Sequence, residues 1–137
     1  MGTDIHVYIE HKSRKKNKYV FDFEADTNRA YSLFGVLAGA RGDLDPIYIP
    51  RGIPKDVSPE TLKEYEDFGA DAHTASWLST EEYRKCLDFH FRILSERKEL
   101  SIEHIREWVE QYEKIYDYME YSENEGEPSR IVFWFDN

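Results

Sequence analysis

Two Asp-x-His triplets are the residues of this sequence best suited to chemistry. Asp4 and His6 stand near the start of the chain, and Asp71 and His73 stand near its middle. Side chains alternate along an extended segment, so each triplet would place a carboxylate and an imidazole on one face. Together the triplets can offer two oxygens and two nitrogens to a divalent metal or to a phosphate-transfer site. The pattern predicts a polar working site with His6 and His73 as its acid–base candidates.

A metal centre is one interpretation of these triplets. Asp136, near the end of the chain, could join Asp4, His6, Asp71 and His73 as a fifth ligand. Carboxylate and imidazole ligands together suit zinc, manganese or iron(II). A metal with an open coordination position lowers the pKa of bound water and creates a nucleophile. The other interpretation is that Asp4 and His6 only form hydrogen bonds with the backbone or with each other at a sheet edge.

Two arginines in the same half of the chain are candidates for binding an anion. Arg41 and Arg51 each precede a glycine, in a region rich in proline and glycine. A guanidinium group matches a carboxylate or phosphate, and an adjacent glycine lets the backbone approach a ligand closely. The alternative is that these arginines hold the segment together by pairing with nearby carboxylates, namely Asp43, Asp45 and Asp56.

Aromatic residues and a third arginine complete the set of ligand-binding candidates. Trp77 follows the second triplet and can stack on a base or another ring, although a tryptophan just before a helix is more often part of a core. Trp134 offers a second ring close to the end of the chain. Arg130, four residues earlier in the same apolar run, could offset the charge of an anionic ligand.

Length and composition limit the classes of protein to consider. The chain has 137 residues and a formal net charge of −10, which favours a single domain over residues 1–137 and argues against binding to duplex nucleic acid. No apolar run reaches membrane-spanning length, and the N-terminus lacks a signal-peptide pattern. One cysteine, Cys86, fits a reducing compartment. We therefore expect a cytoplasmic protein without a membrane-spanning segment.

The charge is unevenly distributed along the chain. Residues 12–18 are strongly basic, and residues 99–127 are strongly acidic. The basic cluster is typical of a solvated hairpin tip, and a phosphate-contacting loop is the alternative. The acidic region is typical of a solvated surface or of a surface that faces a basic partner.

Three segments show the period-two alternation of strands. Residues 3–10 and 19–23 predict a β-hairpin with a basic loop, and residues 130–135 predict a C-terminal strand. If the last strand lies beside the first, Asp136 or Arg130 would come close to the first Asp-x-His triplet, although the register is open.

Four segments predict helices, with an irregular Pro- and Gly-rich stretch between the first two. The sequence predicts helices over residues 28–40, from Ser58-Pro59 to Gly69, over about 80–98, and over 102–121. The last two helices are joined by a short polar connection and should form a helical hairpin. The expected fold class is α+β, with a small antiparallel sheet of the N-terminal hairpin and the C-terminal strand packed against these helices.

Four motifs resemble those of a family of small phage and bacterial proteins. The resemblance implies a cytoplasmic, phage-type accessory protein, and it carries no catalytic assignment. By analogy with other small phage proteins, it implies a role against host defence. The motifs are Met1-Gly2-x-Asp4-Ile5-His6, Arg51-Gly52-x-Pro54, Asp71-x-His73-x-x-Ser76-Trp77-Leu78 and the ending Arg130-Ile131-Val132-Phe133-Trp134-Phe135-Asp136-Asn137.

Two functions from different classes follow from these patterns. The leading expectation is a protein that binds a small anionic, nucleotide-like ligand at an Asp/His/Arg site, with metal-assisted phosphoester hydrolysis if a metal is bound. The alternative is a non-enzymatic inhibitor whose acidic helix occupies a basic groove on a host defence or nucleic-acid-processing protein. Its acidic face would be formed by Glu103, Glu107, Glu110 and Glu113, which recur at spacings of three and four.

Overall fold

A four-stranded antiparallel sheet forms the centre of the computed structural model, which describes residues 2–137. The strands are β1 (Asp4–Ser13), β2 (Lys18–Ala25), β3 (His73–Ser79) and β4 (Ser129–Asp136), in the spatial order β2-β1-β4-β3. The N-terminal hairpin and the C-terminal strand are therefore neighbours, and the predicted α+β class is confirmed.

Strand β3 was not predicted, because its alternation is interrupted. His73 lies opposite Phe135 and Ser76 lies opposite Phe133, so three steps along β3 match two steps along β4. Thr74 has a φ of 55°, a left-handed conformation that is unusual for a β-branched residue. This is a β-bulge, which breaks the period of two that identifies a strand in sequence.

Five α-helices accompany the sheet within residues 2–137. The predicted helical hairpin is confirmed in outline, since α3 packs against both of the helices that follow it. Its second arm is not one helix, however, because the backbone leaves the helical conformation at Val109, with φ −103° and ψ 10°. The helices are α1 (Tyr31–Ala38), α2 (Pro59–Phe68), α3 (Thr80–Arg97), α4 (Ile102–Trp108) and α5 (Glu110–Asn124).

Helix α1 is shorter than predicted at both ends. Asn28 does not cap it, because the Asn28 side-chain amide donates a hydrogen bond to the Trp108 carbonyl at 2.9 Å. The helix ends at Gly39, whose φ of 67° is left-handed, rather than at Gly42. A Cβ atom on Gly42 would lie 2.6 Å from the Tyr31 carbonyl oxygen, so this glycine lets the next loop pack tightly against the start of α1.

The two faces of the sheet bury separate apolar clusters. One face packs against α1, α3 and α5, and it carries Ile5, Val7 and Ile9 of β1 with Ile131, Phe133 and Phe135 of β4. The other face carries a smaller cluster of Tyr8, Val132 and Trp134, with Tyr65 and Phe68 of α2 against it. The alternation predicted for β1 and β4 is therefore confirmed, and the second face is the one that carries polar side chains of both strands.

No helix within residues 2–137 combines the length and the apolar character needed to cross a bilayer.

A capping box formed by Ser79 and Glu82 begins α3. Ser79 Oγ accepts a hydrogen bond from the Glu82 amide at 3.2 Å, and Glu82 Oε1 accepts one from the Ser79 amide at 3.0 Å. We expect Ser79→Ala to lower the free energy of unfolding by about 1 kcal/mol in urea denaturation. Ser95→Ala, on the exposed side of the same helix, is the control and should change it by less than about 0.5 kcal/mol. Equal effects would contradict the capping role.

Candidate functional site

A buried ion pair links the two central strands on the second face of the sheet. Glu10 of β1 lies opposite Arg130 of β4. Arg130 Nε and Nη2 donate to Glu10 Oε1 at 2.9 and 2.7 Å, and the two side chains are 3% and 0% exposed. The ring of Tyr19 covers the guanidinium, with its centroid 3.5 Å from Arg130 Cζ. Because both charges are buried, the two side chains must stay in hydrogen-bonding contact, since an unpaired buried charge would be strongly unfavourable.

The ion pair also positions the segment that leads into α2. Arg130 Nη1 donates to Asp56 Oδ1 at 2.7 Å, and Arg130 Nη2 donates to the Asp56 carbonyl at 3.2 Å. Glu10 Oε2 accepts from the amide of Ser58, the N-cap of α2, at 3.0 Å. The end of the Pro- and Gly-rich segment is therefore fixed by the same two side chains that join β1 to β4.

The beginning of this segment is fixed along the outer edge of β3. The Arg51 amide donates to Ser76 Oγ at 3.0 Å, and the Gly52 amide donates to the Ala75 carbonyl at 2.9 Å. The Arg51 guanidinium forms two 2.6 Å hydrogen bonds with Glu82. These hydrogen bonds from Arg51 lower the pKa of Glu82 to about 2, against a burial effect that raises it.

Between these two attachments lies a cavity of about 410 Å³, which we call the Arg–Trp pocket. The Trp77 ring centroid is 4.7 Å from Arg51 Cζ and 5.9 Å from Arg130 Cζ. The lining contains three cationic side chains and one carboxylate, in a chain whose net charge is −10. Its principal side chains are Tyr19, Arg51, Lys55, Asp56, Trp77 and Arg130.

Three of the five predicted ligand-binding residues meet in the Arg–Trp pocket, namely Arg51, Trp77 and Arg130. The other two lie elsewhere. Arg41 donates to Thr3 Oγ1 at 2.8 Å and lies over the Tyr31 ring. Trp134 is fully buried and stacks on Tyr8 at 4.6 Å, so its ring belongs to the second cluster rather than to an open site.

The alternative prediction was that the arginines of the irregular segment pair with its own aspartates. In the structure, Arg51, Asp43 and Asp56 have partners outside this segment. Arg51 pairs with Glu82 of α3 instead of a neighbouring aspartate. Asp56 pairs with Arg130 of β4. Asp43 pairs with Arg97, at the end of α3.

The first Asp-x-His triplet lies at the opposite end of the second face. His6 Nε2 is 2.8 Å from Asp136 Oδ1, which realises the predicted proximity of β1 to the end of β4. The His6 ring also contacts Phe68 of α2, with centroids 4.3 Å apart. Asp4 instead receives two hydrogen bonds from Arg29, at 2.7 and 3.2 Å, and this pair is exposed.

The second triplet does not join the first. Because His73 precedes the bulge in β3, it pairs with Phe135 and lies against that ring on the first face, with centroids 6.2 Å apart. His73 Nε2 is 3.1 Å from Asn137 Oδ1, and His73 Nδ1 is 2.9 Å from Thr74 Oγ1. Asp71 lies exposed in the 3₁₀ turn that follows α2.

The five predicted metal ligands therefore do not converge in the structure. Of the set, only His6 and Asp136 are hydrogen-bonded to each other. Within residues 2–137, no group of three or more His, Cys, Asp or Glu side chains is arranged to hold a metal ion. Zinc, manganese or iron binding stays a prediction that this geometry does not strengthen.

The predicted acidic face is divided between two helices. Glu103 and Glu107 lie on α4 and Glu110 on α5, all exposed. Glu113 accepts hydrogen bonds from both terminal nitrogens of Arg84, at 2.7 and 2.8 Å, so it is not available as a free carboxylate.

Sequence reasoning missed several residues of the pocket. Tyr19 was assigned only to a strand, Lys55 was not considered, and Glu10 was placed on the polar face of β1 without a role. One signal could have found the central pair. The predicted alternation already placed Glu10 and Arg130 away from the apolar faces of their strands, and an acid and a base inside strands need partners.

Comparisons of the sequence with models of known protein families, with curated proteins and with solved structures found no match.

Loss of one partner of the buried pair should be far more costly than loss of an exposed pair. We expect Arg130→Met to lower the free energy of unfolding by about 3–5 kcal/mol, because Glu10 is left buried and uncompensated. Arg29→Met removes an exposed arginine–aspartate pair and should cost far less, because solvent screens an exposed pair. Urea denaturation of the two variants provides the comparison, and similar losses would contradict a structural role specific to Arg130.

The Arg51–Glu82 pair should make stability depend on acid pH. The pKa of Glu82 is about 2 in the folded protein and 4.5 without its partners, so its stabilisation is complete above pH 4.5 and is lost as pH falls toward 2. The difference in melting temperature between the wild type and Glu82→Gln should be largest near neutral pH and disappear near pH 2. Glu81→Gln, at an exposed neighbour, should show no such trend. A pH-independent difference for Glu82→Gln would refute this linkage.

Proposed function

We propose that the protein binds a small anionic ligand that carries a planar ring, of nucleotide-like chemistry, in the Arg–Trp pocket. The observation that supports this most strongly is that two guanidinium groups lie near the Trp77 ring, with Arg51 Cζ and Arg130 Cζ at 4.7 and 5.9 Å from its centroid. A ring and fixed positive charges in one cavity match the two parts of a nucleotide.

For the anionic part of the ligand, the pocket offers N–H donors that form no hydrogen bond with other residues between 2 and 137. Arginine carries five N–H donors, and Arg51 commits three of them to Glu82 and to the Trp77 carbonyl, which leaves two. Lys55 is exposed and forms no ion pair with any residue between 2 and 137. Arg51 and Lys55 can therefore contact a phosphate without breaking the interactions that seat the segment.

The ring part has a stacking surface of suitable size. Trp77 is half-buried, so part of its indole remains open to a ligand. Stacking of a base on an aromatic side chain contributes about 1–3 kcal/mol and tolerates different bases. A cavity of about 410 Å³ falls in the usual range for small-molecule sites.

The proposal is limited to binding. Neither His6 nor His73 lines the Arg–Trp pocket, so the two residues expected to transfer protons are not placed to act on a ligand held there. Phosphoester hydrolysis therefore forms no part of the proposed function.

Titration with AMP, followed by Trp fluorescence and calorimetry, tests this proposal. AMP should bind saturably and more tightly than either adenosine or inorganic phosphate, because the pocket recognises both parts. Lys55→Ala should weaken AMP binding about fivefold through the loss of about 1 kcal/mol of charge-assisted contact.

Lys63→Ala is the matched control, since it removes one exposed lysine from α2 outside the pocket. It should leave AMP affinity within a factor of about two. The absence of saturable AMP binding, or equal losses in both variants, would refute the proposal.

A further inference from the structure

The basic residues of the cluster 12–18 are all exposed at the hairpin, as predicted, but they face different neighbours. Arg14 is turned toward the end of α5, where its amide donates to Glu127 Oε2 at 2.9 Å and its guanidinium lies beside Gly126. Lys16 and Lys18, two lysines of the basic cluster, line a second cavity of about 420 Å³, which we call the hairpin pocket. The hairpin pocket is lined by Lys16, Lys18, Tyr19, Phe21, Pro59 and Glu60, among others.

Tyr19 lines both cavities. One side of its ring covers the guanidinium of Arg130 in the Arg–Trp pocket, and the same residue lines the hairpin pocket. The two cavities therefore lie next to each other and share Tyr19 as a lining residue.

Lys12 extends the positive charge between the two cavities. It lies directly opposite Tyr19 in the β1–β2 ladder, so both side chains point to the same face. Lys12 thus adds a cation beside the shared tyrosine.

The resulting surface contains both cations and aromatic rings. Arg51 is paired with Glu82, and Arg130 is paired with Glu10 and Asp56. The lysines of this surface form no ion pair within residues 2–137 and supply its available positive charge. Basic groups can contact a phosphodiester backbone, and aromatic faces can stack on bases. The cations are Lys12, Lys16, Lys18, Arg51 and Lys55, and the rings are Tyr19, Phe21 and Trp77.

We propose that the Arg–Trp pocket and the hairpin pocket together bind one dinucleotide, with one nucleotide unit in each cavity and the phosphodiester passing Tyr19. This inference rests on the proposed function, which it extends from one nucleotide unit to two. Cavities of about 410 and 420 Å³ are each large enough for one unit, and each offers at least one aromatic ring and one lysine.

Calorimetric titration of the full chain with AMP and with 5′-phosphorylated adenylyl-adenosine (pApA) tests the inference. The dinucleotide should bind at least about tenfold more tightly than AMP, because the second unit binds at a high effective concentration. A variant with both Lys16→Ala and Lys18→Ala should lose most of that gain while its AMP affinity stays within a factor of about two.

A charge-matched control separates local contacts from general attraction. Replacement of Lys63 and Lys114 by alanine removes the same two charges from exposed positions on α2 and α5. This control should retain the preference for pApA, and melting temperatures of all variants establish that each is folded.

Each outcome of the titration decides between the two proposals. Failure of the chain to bind either ligand would refute the proposed function and the inference together. Saturable AMP binding with no preference for pApA, or an equal loss of that preference in the control, would overturn the dinucleotide inference alone.

Discussion

The buried ion pair between Arg130 and Glu10 is the interaction on which the rest of the site depends. It joins the two central strands, holds Asp56 through two hydrogen bonds and receives the amide of Ser58 at the start of α2. Because both charges are buried away from water, each of them must be fully paired. Only a few positions of the surrounding segment provide this pairing. The pair therefore holds the Pro- and Gly-rich segment in a position where it lines the Arg–Trp pocket.

Charge is distributed unevenly over the surface. Helices α2 and α5 carry most of the excess acid, whereas the Arg–Trp and hairpin pockets are lined by lysines, arginines and aromatic rings. A local positive surface on an acidic protein attracts small anions while the overall charge repels long polyanions. This combination favours a small nucleotide ligand over duplex nucleic acid.

Much of the fold could be predicted because local patterns determine it. The alternation of β1 and β4, the N-caps Ser58 and Ser79, and the paired helices all appear in the sequence and in the structure. Strand β3 could not be predicted, since its bulge at Thr74 removes the period that identifies a strand. The break at Val109 likewise has no proline or glycine to mark it.

The candidate site was only partly predictable, because it depends on strand register and on pairing between distant residues. Arg51, Trp77 and Arg130 could be selected by residue type, and the structure brings them together. The two Asp-x-His triplets were expected to share one site, but the bulge in β3 places His73 on the face opposite His6. A shift of register of this kind is decided by packing against neighbouring strands and cannot be derived from spacing along the chain.

The most direct test of this account is a map of ¹H–¹⁵N chemical-shift changes as AMP is added to isotopically labelled protein. The account predicts that the largest changes fall on the Trp77 indole N–H and on the backbone amides of Arg51, Gly52, Lys55 and Asp56. Changes centred on His6, His73 and Asp136, or no changes at saturating AMP, would contradict the assignment of ligand binding to the Arg–Trp pocket.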